Sequence, residues 1–197
     1  EEASFDASDI AEIIAGTRSF GIVVRFADLV EKHGERMSAQ LTNQTAVSLQ
    51  QDLRTVARAE RLRGGYWRRV REFLERYELI LTPTLGAPPF RLDEPLPTHV
   101  GGRPVEKFYD IFLAVYAFSL VGLPALSIPC GRTAAGHPIG LQIVGRRLRE
   151  DSVLRAAKSY ATAVPEAFVR RATQLGDARA LEYQVETLGI LAEKAPG

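Results

Sequence analysis

The chain has 197 residues, with 25 Lys plus Arg against 24 Asp plus Glu, 46% hydrophobic residues and 25% charged residues. This balance excludes a disordered or collagen-like chain, and a formal net charge of +1 provides no field to draw nucleic acid or an anionic membrane over distance. Cys130 is the single cysteine, which excludes an internal disulfide and a Cys-rich zinc site and predicts a reducing, cytoplasmic setting.

The acidic opening EEASFDASD has neither the basic nor the apolar region of a signal peptide. Phe5 to Ala15 and Phe20 to His33 read as two helices separated by Gly16 and ended by Gly34, with Phe20, Val23, Val24, Ala27 and Val30 on one face. A longer helix is predicted from about Ala46 to Tyr77, on the spacing of Leu49, Leu53, Val56, Tyr66, Val70 and Phe73, with Gly64-Gly65 placed to kink it. Glu78 to Thr84 reads as a short buried strand stopped by Pro83, and the Pro- and Gly-rich stretch from Gly86 to Pro104 as a surface excursion.

Val105 to Val121 is apolar on every side and predicts a buried helix, with Gly122 as the left-handed residue that ends it. Ile111 to Gly131 is free of charge and long enough to span a bilayer, but Gly122, Pro124 and Pro129 break it, so no membrane partner is expected. Ala125 to Cys130 and Ile139 to Gly145 read as two strands of a hairpin joined by GRTAAGHP. Asp151 to Val164 is an amphipathic helix stopped by Pro165. Helices packed on a mostly buried sheet predict an α/β fold. Beyond Pro165 the rhythm changes: Ala178, Leu181, Val185, Leu188 and Ala192 alternate spacings of three and four, which predicts an appended helix within 166–197 that docks on its own domain or pairs with a second copy in a homodimer.

Three blocks carry a resemblance. Tyr77-Glu-Leu-Ile-Leu-Thr-Pro-Thr84, Phe118-Ser-Leu-Val-Gly-Leu-Pro-Ala-Leu-Ser-Ile-Pro-Cys-Gly131 and Gly136-His-Pro-Ile-Gly-Leu-Gln-Ile-Val-Gly145, followed by the helix after Glu150, are similar in order and spacing to the C-terminal portion of amidase signature hydrolases. The resemblance covers about Ser38 to Val164, is loose over the first two helices and does not include the tail. It implies that residues 1–165 are the C-terminal segment of an amidase domain, part of a mixed β-sheet sandwiched by helices. It also implies a small-molecule amide as substrate and no cofactor. The family hydrolyses amides with a nucleophilic serine, a second serine held by a cis peptide, an activating lysine and an oxyanion hole of backbone N–H groups.

None of those reacting groups carries over to this chain. Its serines, Ser4, Ser8, Ser19, Ser38, Ser48, Ser119, Ser127, Ser152 and Ser159, include no adjacent pair and no Gly-Ser-Ser-Gly setting. Together with Glu1 in place of methionine, this is read as a C-terminal piece whose partner is the N-terminal portion of the same protein, and no catalytic residue is assigned here. A second departure is Ser119, where the family pattern has asparagine; a pocket role competes with a serine bonding back to its own helix.

The residues left to touch a substrate are Thr82 and Thr84 at the end of their strand, Ser119, and Gln142, whose amide interrupts an apolar strand. Against them stand the ordinary preference of threonine for strands and, for Gln142, a role in orienting neighbouring strands. A Cys130–His137 dyad is a rival chemistry, weighed against a buried thiol and a surface imidazole. His33 and His99 have no partners at metal-ligand spacing. Arg54, Arg58 and Arg61 share a face of the long helix; contact with RNA would suit the family branch that forms the amidase subunit of tRNA-dependent amidotransferases, but a solvated face with ion pairs is the reading adopted, so nucleic acid is not an expected partner. The competing reading of the whole chain is a non-catalytic module that self-associates through Ala178 to Ala192.

Overall fold

A computed structural model describes residues 3–87, 89–90, 97–100, 103–106, 108–134 and 136–164. The appended segment 166–197 lies outside these residues. The chain divides into two compact units, Glu1–Val70 and Arg71–Gly197.

The first unit is helical. Helix α1 (Ile10–His33) is continuous, where two helices were expected from the glycine at position 16. Gly16 is an interior packing residue: a Cβ added there would lie 2.4 Å from Ala59 Cβ and 3.2 Å from the Thr55 carbonyl. The missing side chain therefore serves a close helix contact, which sequence punctuation alone reads as a break. A turn of 3₁₀ helix (Gly34–Arg36) leads to α2 (Ala39–Leu49), capped by Ser38, whose Oγ accepts from Leu41 N. Helix α3 (Leu53–Arg76) follows. The expected single helix from 46 to 77 is thus broken at Gln50–Asp52 and runs straight through Gly64-Gly65. Asp52 starts the new helix by accepting from Arg54 N at 3.2 Å, offering one of the free first-turn N–H groups a partner.

Buried positions of this unit are Ile10, Ile13 and Ile14 on α1 and Ala59, Tyr66 and Val70 on α3, spaced as one face of each helix. The expected face through Phe20 and Val24 keeps its helical spacing but remains 58% and 66% exposed.

The second unit is built on a three-stranded sheet in the order β1 (Leu79–Pro83), β5 (Pro138–Gly145), β4 (Ala125–Arg132), antiparallel throughout. The short β2 (His99–Val100) and β3 (Arg103–Pro104) pair separately within the predicted excursion. The hairpin of β4 and β5 is as predicted, with a bulge between Pro129 and Gly131. The register sets Leu79 opposite Gly145, Thr82 opposite Gln142, and Gln142 opposite Ser127. Strand alternation then separates two faces. On one, Ile128 and Ile143 pack with Val153 and Ala157 of α5 (Glu150–Ala163). Gly145 admits that helix, since a Cβ there would meet Val153 Cγ2 at 2.6 Å. The opposite face carries Thr82, Ser127 and Gln142, and reaches α4 (Leu113–Ser119) through the Ala114 carbonyl.

Helices thus address both faces of the sheet, as an α/β fold requires. The helix predicted over 105–121 is shorter than expected: a 3₁₀ segment (Phe108–Phe112) precedes α4, and the Asp110 carboxylate accepts from Glu106 N at 2.9 Å ahead of it. Gly122 has φ +66, the left-handed terminator anticipated from sequence. No described helix is long and apolar enough to cross a membrane.

Candidate functional site

Beyond the C-terminal end of β1 the second unit opens a cleft of about 1010 Å³. Because the described strands are antiparallel, the rule for parallel sheets that pointed to Thr82 and Thr84 does not apply. What gathers at this edge is the end of β1, the start of β5 and the end of β4. Thr84 Oγ1 and Ser127 Oγ lie 2.6 Å apart, one donating to the other. Gly140 lies beside them, where a Cβ would stand 2.8 Å from Thr84 Oγ1 and 2.9 Å from Ser127 Oγ. The bare Cα is what lets a hydroxyl just past the end of β1 and one from β4, on either side of β5, meet, and Thr84 N donates to the Gly140 carbonyl at 2.8 Å.

One row deeper, buried Gln142 uses both hydrogens of its amide nitrogen: Nε2 donates to Thr82 Oγ1 at 3.0 Å and to the Ala114 carbonyl at 3.2 Å. A buried amide needs such partners, and these tie β1, β5 and α4 together. Ser119 is placed elsewhere; its Oγ donates to Val115 O at 3.1 Å, within its own helix. Of the four sequence candidates, Thr84 lines the cleft, Thr82 and Gln142 brace the sheet behind it, and Ser119 is apart. Ser127 was missed. Its signal was available in the alternation of β4, which puts Ser127 on the face of Gln142 once the hairpin register is set.

Apolar walls surround the hydroxyl pair, among them Phe90, Ile111, Phe112 and Ile139, with Cys130 and Arg132 farther along β4. Cys130 Sγ donates to the Ile139 carbonyl at 3.5 Å, and burial pushes the thiol pKa up, so it stays protonated at neutral pH. His137 is exposed and its backbone N–H donates to Thr133 Oγ1. This is not a Cys–His nucleophile. Among the described residues no lysine, histidine or carboxylate bonds Thr84 Oγ1 or Ser127 Oγ, and no three His, Cys, Asp or Glu side chains cluster to hold a metal ion. Two hydroxyls sharing one hydrogen bond keep a second O–H and free lone pairs, so they can donate to a carbonyl or accept from an N–H, but nothing beside them takes a proton.

The sequence model of the amidase family matches residues 8–154, three quarters of the chain and every element from α1 into α5. The chain belongs to the amidase family. The match reaches back through the first helices, where the sequence resembled the family only loosely. An acylamidase of Rhodococcus erythropolis is 32% identical over 120 residues, covering 61% of this amidase chain and 25% of that protein. A glutamyl-tRNA(Gln) amidotransferase subunit of Brevibacillus brevis is 42% identical over 84 residues, 43% of this chain and 16% of that one. Among solved structures, an amidase aligns with a TM-score of 0.69 at 20% identity, over 78% of this chain and 35% of its own. A 6-aminohexanoate cyclic dimer hydrolase aligns with a TM-score of 0.65 at 23% identity, over 81% and 35%. These two share the fold. The amidase chain spans a quarter or less of the two curated relatives.

Several arginines of α3 are ion-paired. Arg58 pairs with Glu12, Arg63 with Glu60 at 2.6 Å, Arg69 with Asp9 at 2.5 Å, and Arg71, in the second unit, with Glu75 at 3.6 Å.

Proposed function

We propose that this chain is the part of an amide C–N hydrolase that builds one wall of the substrate cleft, while polypeptide outside it supplies the nucleophilic serine, the activating lysine and the oxyanion hole. The observation that carries this reading is the Thr84–Ser127 hydroxyl pair on the cleft floor of an amidase-family chain, with no base beside it. In this role the pair holds the amide of the substrate, through one O–H donor and the remaining lone pairs, without reacting. Thr82 and Gln142 hold the strands that present it. A cytoplasmic setting agrees with the lone cysteine.

Two tests apply. The gene upstream of Glu1 should encode a Gly-Ser-Ser run; a start codon directly before Glu1 overturns the reading. The chain alone should not hydrolyse a simple anilide, and turnover that Ser127→Ala abolishes would make Ser127 a nucleophile instead. In the parent enzyme, Ser127→Ala should raise KM about tenfold with kcat nearly unchanged, the worth of one lost binding hydrogen bond.

The 42% identity to an amidotransferase subunit favours a second reading, in which the parent acts on aminoacyl-tRNA. Pairing of Arg58 with Glu12 weighs against direct RNA contact through the face of Arg54, Arg58 and Arg61. Tight tRNA binding with a steep salt dependence would reverse the preference.

A further inference from the structure

Among the described residues that line the cleft, Arg132 alone carries a charge, and no Asp or Glu stands with it. The rest of the wall is mostly apolar, and Leu85 and Phe90 at 45% exposure and Ile139 at 38% leave much of their surface open to whatever enters. A cation set in such a wall attracts an anion more strongly than the same cation in water, because the local dielectric is lower.

The hairpin turn holds this cation in place. Arg132 Nη1 donates to the Gly136 carbonyl at 2.6 Å, and three further bonds close the turn: Thr133 N to the His137 carbonyl at 2.8 Å, Gly136 N to the Thr133 carbonyl at 2.9 Å, and His137 N to Thr133 Oγ1 at 3.1 Å. One side of the guanidinium is thereby fixed. Its Nε and Nη2 hydrogens bond no group among the described residues, and that edge is a planar fork that matches the two oxygens of a carboxylate. Arg132 stands opposite Pro138, two residues along β5 from Gly140, over which Thr84 and Ser127 meet, and the Gly136 carbonyl that holds the guanidinium is four residues from Gly140. At the rise of a strand, fork and hydroxyl pair are separated by on the order of 10 Å, and the wall around them includes Pro129, Pro138 and Ile139. We infer that the cleft selects amides that carry a carboxylate at the far end of an apolar arm of about that length, with Arg132 as the partner of the carboxylate. For the amide end this rests on the reading of the Thr84–Ser127 pair given above.

Suberic acid monoanilide and its methyl ester differ in that charge and one methyl group. Titrated into the chain by calorimetry, the acid should bind about tenfold more tightly than the ester, and in Arg132→Gln the two should bind alike. Arg132→Lys, which keeps the charge and loses the fork, should recover part of the preference. Each ratio is taken within one protein, so a general loss of affinity from a loosened turn cancels. Equal binding of acid and ester by the unaltered chain, no binding of either, or a preference that survives in Arg132→Gln overturns the inference. The hydrolase reading fails differently. Cleavage of a simple anilide by the parent enzyme, with no advantage of acid over ester in binding, removes the carboxylate subsite and leaves amide hydrolysis standing; a preference for the acid that Arg132→Gln abolishes, with no anilide cleaved by the parent, keeps the subsite and removes the hydrolase.

Discussion

The two units use polar groups in opposite ways. In the first, charges are paired across helix surfaces, as in Arg58–Glu12 with side chains 64% and 43% exposed, and the buried interior holds Tyr66, whose hydroxyl has no hydrogen-bond partner among the described residues. In the second, the buried amide of Gln142 spends both its hydrogens, one on a neighbouring strand and one on α4, and a pair of hydroxyls is set out on the floor of a cleft. Exposed apolar residues differ too: those of the first unit, such as Phe20, Val24, Val47 and Leu53, lie on its helices, while Leu85, Phe90 and Ile139 of the second gather at the cleft. A helix satisfies its backbone locally and leaves its side chains to the solvent; a sheet brings distant residues into register, and that is where a binding surface is made.

Replacement of core residues should produce the largest effects. Ile143→Ala, which empties the contact between sheet and α5, should cost about 2–5 kcal/mol by urea denaturation. A loss below about 1 kcal/mol would mean that the sheet is not the rigid member of the comparison. Next comes Gly16→Val, which forces a side chain into Ala59 and should cost about 1–3 kcal/mol. A neutral result would show that the helices of the first unit part easily, whereas they are closely packed here.

Tyr66→Phe should act in the other direction. Removing a buried hydroxyl without a partner should stabilise the chain by about 1 kcal/mol near neutral pH. Burial pushes the Tyr66 pKa up, opposed weakly by the nearby Arg69 charge. The folded state therefore holds its phenol proton after the unfolded state has released it. Stability linked to this group is complete below the unfolded value near 10 and falls as pH rises beyond it, by at most about 1.4 kcal/mol per pH unit. The Phe variant should show a shallower alkaline decline in unfolding free energy; an identical decline would contradict the burial. Smallest of all, Arg58→Gln should cost less than about 0.5 kcal/mol, and the difference should shrink further in high salt. A larger loss would show that the ion pairs of the first unit stabilise it as much as the hydrogen bonds of the second stabilise theirs.

Much of the second unit was legible in the residues themselves. The strands at 79–83, 125–132 and 138–145, the hairpin between the last two and the left-handed Gly122 followed from alternation, proline punctuation and glycine chemistry, each of which acts within a few residues. Helix boundaries were less accessible. Gly16 looked like a break because a glycine's effect depends on what faces it, and Ala59 is more than forty positions away. Asp52, by contrast, announced a helix start that the apolar spacing around it masked. At the site, Thr84 was visible as the end of a strand, but its partner Ser127 was not singled out, and of the two roles weighed for Ser119 the bond back to its own helix, at Val115, is the one present.

By itself the sequence determined the α/β class, the sheet-forming blocks, the family likeness those blocks carry and the absence of the family's serine pair. Only the tertiary structure decided which hydroxyls meet and over which glycine, because Thr84 directly follows β1 while Ser127 lies on β4 and Gly140 on β5, and the register of those three strands is settled by packing on α5 and by the hydrogen bonds of the whole ladder. Local propensity operates over one turn or one hairpin. A cleft floor assembled across three strands is a property of their common register, which short-range signals do not contain.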